Sequence, residues 1–92
     1  MRTSGGRVVR ATAQQVAAVR DAVAPFDTAE LRAKYVARQI PRANTVRDIS
    51  KRYRWDLYYL AIDGGRLSYD TLRSLNDSHV DTVLRAVVPA LP

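Results

Sequence analysis

Apolar residues recur at helical spacing through most of the 92-residue chain, and residues that start or stop helices bound each run. Thr12 followed by Gln15 has the form of a capping box and opens a helix that Pro25 stops, with Val16, Val19 and Val23 on one face. Asp27 followed by Glu30 repeats that signal for a second helix, closed by Pro41 near Gln39. Its Ala29, Ala33, Val36, Ala37 and Ile40 cluster on one side, where small side chains would let another helix approach closely. Asn44 or Thr45 caps the longest helix, which runs to about Asp63 and ends at Gly64-Gly65. Ser68 caps a short helix through Leu75, with Leu72 and Leu75 facing inward. Asn76 reads as a left-handed break, and Asp77 or Ser78 starts a last helix ended by Pro89. There Val80, Val83, Leu84 and Val87 make an apolar stripe, although Val80–Val88, like Arg7–Arg10, also suits a strand.

The expected fold class is all-α. A single small domain of about five helices, spanning 12–92, packs round a long central helix (about 45–63), behind a flexible basic leader at 1–11. Forty-seven per cent of the residues are hydrophobic, but 13 of them are alanine, which leaves 30 larger side chains for a core. Typical per-residue values put the stability of such a domain at ~5–14 kcal/mol. No cysteine is present, so disulfides, cysteine-ligated zinc and thiol catalysis are excluded. No apolar run is long enough to span a membrane, and the polar start Met1–Gly6 offers no export signal, so a cytoplasmic location is expected.

Charge changes the picture because it is uneven. The chain carries +6 overall. Residues 1–54 hold 12 Lys/Arg against four acids, a net +8, whereas residues 55–92 hold Arg66, Arg73 and Arg85 against five aspartates, a net −2. The densest stretch runs from Arg32 to Arg54 and includes Arg38, Arg42, Arg47, Lys51 and Arg52. A localised basic field attracts polyanions; a solvated, arginine-rich surface accounts for the same letters.

On a wheel of the central helix, Val46, Ile49, Tyr53, Leu57 and Leu60 share one arc, and Trp55, Tyr59 and Ile62 fall nearly opposite. A helix apolar on two sides is either sandwiched between others or carries a binding surface. One flank holds Arg47, Lys51, Arg54 and Tyr58: cations for phosphates beside an aromatic for stacking. The other holds Asp48, Arg52, Asp56 and Asp63, spaced for an Asp48–Arg52–Asp56 charge ladder.

Catalysis needs convergent groups, and the chain offers little of that kind. His79 is the only histidine and sits at a helix start beside Ser78 and Asp81. Asp70, Asp77 and Asp81 lack the spacing of a calcium loop, and Gly64-Gly65-Arg66 lacks the pattern of a phosphate loop. No catalytic residue, metal site or cofactor is expected. Leu67–Val88 has the outline of a helix-turn-helix, but its second helix would show the major groove only Ser78, Asp81, Thr82 and Arg85, a poor reader of bases.

The segments Arg52-Tyr-Arg-Trp-Asp-Leu57 and Leu75-Asn-Asp-Ser-His-Val-Asp-Thr-Val-Leu-Arg85 resemble a group of short uncharacterised proteins encoded by phages and mobile elements. The resemblance covers about the C-terminal 40 residues. It implies a context in which small basic proteins bind nucleic acid or block host defence complexes. The same letters have a structural reading: Asp81 can pair with Arg85, and His79 and Thr82 can contact Trp55 or Asp56 across a helix pair.

The expected function is therefore non-enzymatic binding of nucleic acid through the phosphate backbone, by Arg38, Arg42, Arg47, Lys51, Arg54 and Tyr58. The alternative is a protein-binding inhibitor of a host complex, anti-CRISPR-like or otherwise anti-defence, anchored by Trp55, Tyr59 and Ile62. Homodimerisation through that same face is a third expectation.

Overall fold

The computed structural model describes residues 11–39 and 45–92, and in these it is all-helical. Helix α1 spans Ala13–Val23 and leads through a 3₁₀ turn, Ala24–Phe26, to α2, Ala29–Ala37. Helix α3 spans Val46–Asp63, α4 Tyr69–Ser74 and α5 Asp77–Val87. Among the described residues no helix is long and apolar enough to cross a membrane. Residues 1–10 of the leader expected at 1–11, Pro41, and the readings placed on Ile40 and Asn44 lie outside the described residues, while Ala11 packs against the core.

Local signals set the helix ends. The Thr12 hydroxyl accepts from Gln15 N at 3.0 Å, and Gln15 Oε1 accepts from Thr12 N at 2.8 Å, so both halves of the capping box are made. The Thr45 and Ser68 hydroxyls cap α3 and α4 by accepting from Asp48 N and Thr71 N, without the reciprocal bond. At the end of α3, Gly65 takes a positive φ of 68°, while Gly65 N and Arg66 N donate back to Ile62 O and Ala61 O. That is a Schellman stop, satisfying carbonyls the helix would otherwise leave open. Two caps differ from expectation. Helix α2 is capped by Thr28, whose hydroxyl accepts from Leu31 N, not by Asp27. Asn76 is no left-handed break: at φ −99° it is extended, and its side chain caps α5 by accepting from His79 N.

Helix α3 is sandwiched. It packs against α1, the 3₁₀ turn, α2 and α5, while α1 also packs against α5. The core combines Val19, Ala22 and Val23 of α1 with Ile49, Tyr53, Leu57 and Ala61 of α3 and the Val80–Val83–Leu84 stripe of α5. The buried arc of α3 is turned from the predicted one towards Ser50, Tyr58 and Ala61. Val46 and Leu60, expected inside, are 40% and 39% exposed. Small residues at 50 and 61 account for part of this turn, because they let neighbouring chain come close. The Ser50 hydroxyl, buried, accepts from Leu91 N at 2.9 Å and pins the tail beyond α5, where Val88 and Leu91 join the core.

Helix α2 also presents another face than its alanines suggest. Ala29, Ala33 and Ala37 are exposed, whereas Tyr35 is buried and Leu31 and Val36 are half-buried. A tyrosine and a leucine remove far more area from water than three alanines, so they decide which side meets α3.

Asp27, released from capping, organises the joint between α2 and α3. Its carboxylate receives Arg32 Nε and one terminal nitrogen, both at 2.7 Å, and also the Tyr53 hydroxyl. The Arg32 bonds, outweighing the effect of burial and aided by Tyr53, hold the Asp27 carboxyl below the usual carboxylate range. Burial, with the Asp27 charge beside it, pushes the Tyr53 hydroxyl well above its ordinary value. A depressed folded-state pKa adds stability above the unfolded value of about 3.9, and that stability is lost as pH falls through the folded value. Asp56 acts in the opposite sense, since burial raises its pKa and lower pH relieves the folded state. Melting temperatures between about pH 5 and 2 should therefore fall less steeply in Asp27→Asn than in the parent, and more steeply in Asp56→Asn. Parallel profiles for parent and Asp27→Asn would contradict the network.

Candidate nucleic-acid interface

The first turns of α3 place Arg47 and Lys51 on its exposed surface, just after the Thr45 cap. Arg54, a further turn on, falls inside the buried arc and is half-buried. Its Nε donates to Val88 O at 2.9 Å, so a cation closes one of the open carbonyls at the end of α5. Burial, and then the positive charge of Arg85, push the Arg54 pKa down, with Asp81 pulling the other way. An arginine stays charged under such shifts.

Arg85 reaches the same place from α5. Thr45, Arg47, Asp48, Lys51, Arg54 and Arg85 line one cleft of about 580 Å³ between the start of α3 and the end of α5. Arg85 Nε is held at 3.2 Å from Asp81 Oδ2, one helical turn back, and the side chain remains 58% exposed. Sequence spacing does not group it with the α3 cations, because it belongs to the net-negative half of the chain. Only the α3–α5 packing brings it to Arg47, Lys51 and Arg54. The available signal was its i, i+4 spacing from Asp81, which reads as a surface pair and nothing more.

The remaining expected residues are placed differently. The Arg38 guanidinium lies 4.8 Å from the centre of the Tyr35 ring on α2 and is not among the cleft residues. Arg42 lies outside the described residues. Tyr58 is only 6% exposed and stands edge-on to Trp55 at 5.7 Å, so its ring has no free face for stacking. Burial first, then the charge of Asp77, push its hydroxyl pKa up. The helical wheel sets it beside the cations, but the turned arc of α3 carries it inward. Arg32 is committed to Asp27, and the Asp48–Arg52–Asp56 ladder forms no ion pair among the described residues.

Trp55, Tyr59 and Ile62 do not form one exposed patch. Trp55 and Ile62 are half-buried against the core, and Tyr59 is 55% exposed. Trp55 Nε1 donates to Asp81 Oδ1 at 3.3 Å, so the two oxygens of Asp81 hold Trp55 on one side and Arg85 on the other. A second groove of about 640 Å³ starts at Lys51 and continues past Trp55 and Tyr59 to Asp77, Ser78 and Thr82. His79, beside it in the first turn of α5, is half-buried. Among the described residues no group of three or more histidine or acidic side chains is placed to hold a metal ion. No protein-family model, curated protein or solved structure matches the chain.

Proposed function

We propose that this chain is a small non-enzymatic protein, of the phage or mobile-element type it resembles, that binds nucleic acid through the phosphate backbone. The observation that carries this reading is the convergence of Arg47, Lys51, Arg54 and Arg85 on one cleft whose only acidic lining residue, among the described residues, is Asp48. Two helices contribute, so the cations are held at fixed spacing by the fold and not strung along a single stripe. Arg54 is oriented by Val88 and Arg85 by Asp81, which lowers the entropy lost when they meet a phosphate. The overall charge of +6 adds long-range attraction.

A host-protein interface built on Trp55, Tyr59 and Ile62 has less behind it, because Tyr59 alone of the three is exposed. The test is a salt titration of binding to labelled DNA and RNA. Four phosphate contacts should give a log–log slope of roughly −3 to −4. Absence of binding to every nucleic acid at ~50 mM salt would end the proposal.

A further inference from the structure

The basic cleft does not end at its cations. Lys51 lines both it and the groove that holds Trp55 and Tyr59, so the two adjoin at that side chain. Lys51, Trp55 and Tyr59 follow one another at i, i+4 and i+8 on α3, a path of about 12 Å at 1.5 Å per residue. Tyr59 is backed by Trp55, with ring centres 5.8 Å apart and planes tilted by 40°. Trp55 is in turn fixed by Asp81. An exposed ring supported from behind is a ready platform at the end of a cationic track.

We propose that the ligand is a single strand, whose phosphates follow Arg47, Lys51 and Arg54 while an unpaired base stacks on the exposed face of Tyr59. This rests on the reading of the basic cleft as a backbone site and adds the state of the nucleic acid. In a duplex the base faces are already stacked on their neighbours and offer nothing to a tyrosine. In a single strand every base has a face to give. The acids set which side the backbone takes. Asp77 lines the aromatic groove and repels phosphate, whereas Asp81 beside it is paired with Arg85, so the backbone keeps to the Arg47–Arg54 side. Base edges carry N–H donors, ring N3–H in thymine and uracil and amino groups in the others, which suit the Asp77 carboxylate and the Ser78 hydroxyl.

The experiment measures anisotropy of labelled oligo-dT, oligo-rU and a duplex, each about 15 units long and each at ~50 mM salt. At least one of the two strands should bind about tenfold or more tightly than the duplex, and the stronger of the two identifies DNA or RNA as the preferred source. Tyr59→Ala should weaken strand binding by about 5- to 150-fold, leave duplex binding unchanged and keep the helical circular dichroism of the parent. Tyr59→Phe should bind as the parent does. Strand binding should also alter the emission of Trp55, the only tryptophan. Equal binding of strands and duplex, an inert Tyr59→Ala, or equal losses in Tyr59→Ala and Tyr59→Phe would overturn the single-strand assignment while leaving the basic cleft in place. Failure of all three probes to bind would overturn both readings.

Discussion

Replacing Tyr53 by alanine is expected to remove about 3–5 kcal/mol of folding stability, the range for deleting a large aromatic side chain from a core. That is a large part of the ~5–14 kcal/mol typical of a domain this size, so the variant should be partly unfolded at physiological temperature. Tyr53 is completely buried. Its ring meets Tyr35 edge-on at 5.3 Å and lies 5.7 Å from the Arg32 guanidinium, and its hydroxyl donates to Asp27. It is therefore the α3 side chain on which Tyr35, Arg32 and Asp27 converge, with Leu31 and Val36 of α2 packed against the same core. Tyr53→Phe separates the two contributions. It keeps the ring and removes one bond to a charged acceptor, worth about 1.5–3 kcal/mol, at the lower end here because Asp27 is partly exposed. Urea unfolding of both variants reads the difference as a shift of midpoint at constant slope. Equal losses would assign the whole effect to the hydroxyl, and no loss in either would contradict the packing of α2 on α3.

Helix ends were legible in the sequence because capping is local. Thr12 with Gln15, Ser68, and the glycine pair after Asp63 act within four residues of themselves, whatever the rest of the chain does. The α5 stripe was legible for a related reason: with four large aliphatic residues on one side, only one face can be buried. The faces of α2 and α3 were not legible, because each offers more than one apolar arc. In α3 the choice between Leu60 and Tyr58 depends on where α1 and α5 lie, and on the tail amide that Ser50 receives. In α2 the competition between Tyr35 and the alanines is settled by a partner 18 residues away, Tyr53. Asp27 misled for a different reason. It stands one residue before the true cap, and the same carboxylate that suits a cap also suits an arginine five residues on. The basic cleft was half legible. Three of its cations share one helix and could be found by spacing, whereas Arg85 joins them only through tertiary contact.

The double variant Arg47→Glu/Lys51→Glu is expected to weaken nucleic-acid binding by roughly 100-fold at ~50 mM salt and to lower the magnitude of the salt slope by about two. Both side chains are exposed, so the substitutions leave the core untouched. Arg47 lies in the first turn of α3, where a carboxylate interacts favourably with the open N–H groups of the helix end, and stability should be unchanged or slightly higher. A loss of binding in this variant therefore cannot be traced to unfolding, and thermal melts check that directly. The informative control is Arg52→Glu. Arg52 is exposed on the same helix and changes the net charge by the same amount per substitution, but it does not line the cleft. If binding depends on the cleft, Arg52→Glu should cost only the small, salt-sensitive share that comes from the overall field, and its slope should match the parent's. If charge acts without regard to position, Arg52→Glu should lose as much per charge as the double variant, and the convergence of Arg47, Lys51, Arg54 and Arg85 would be incidental to binding.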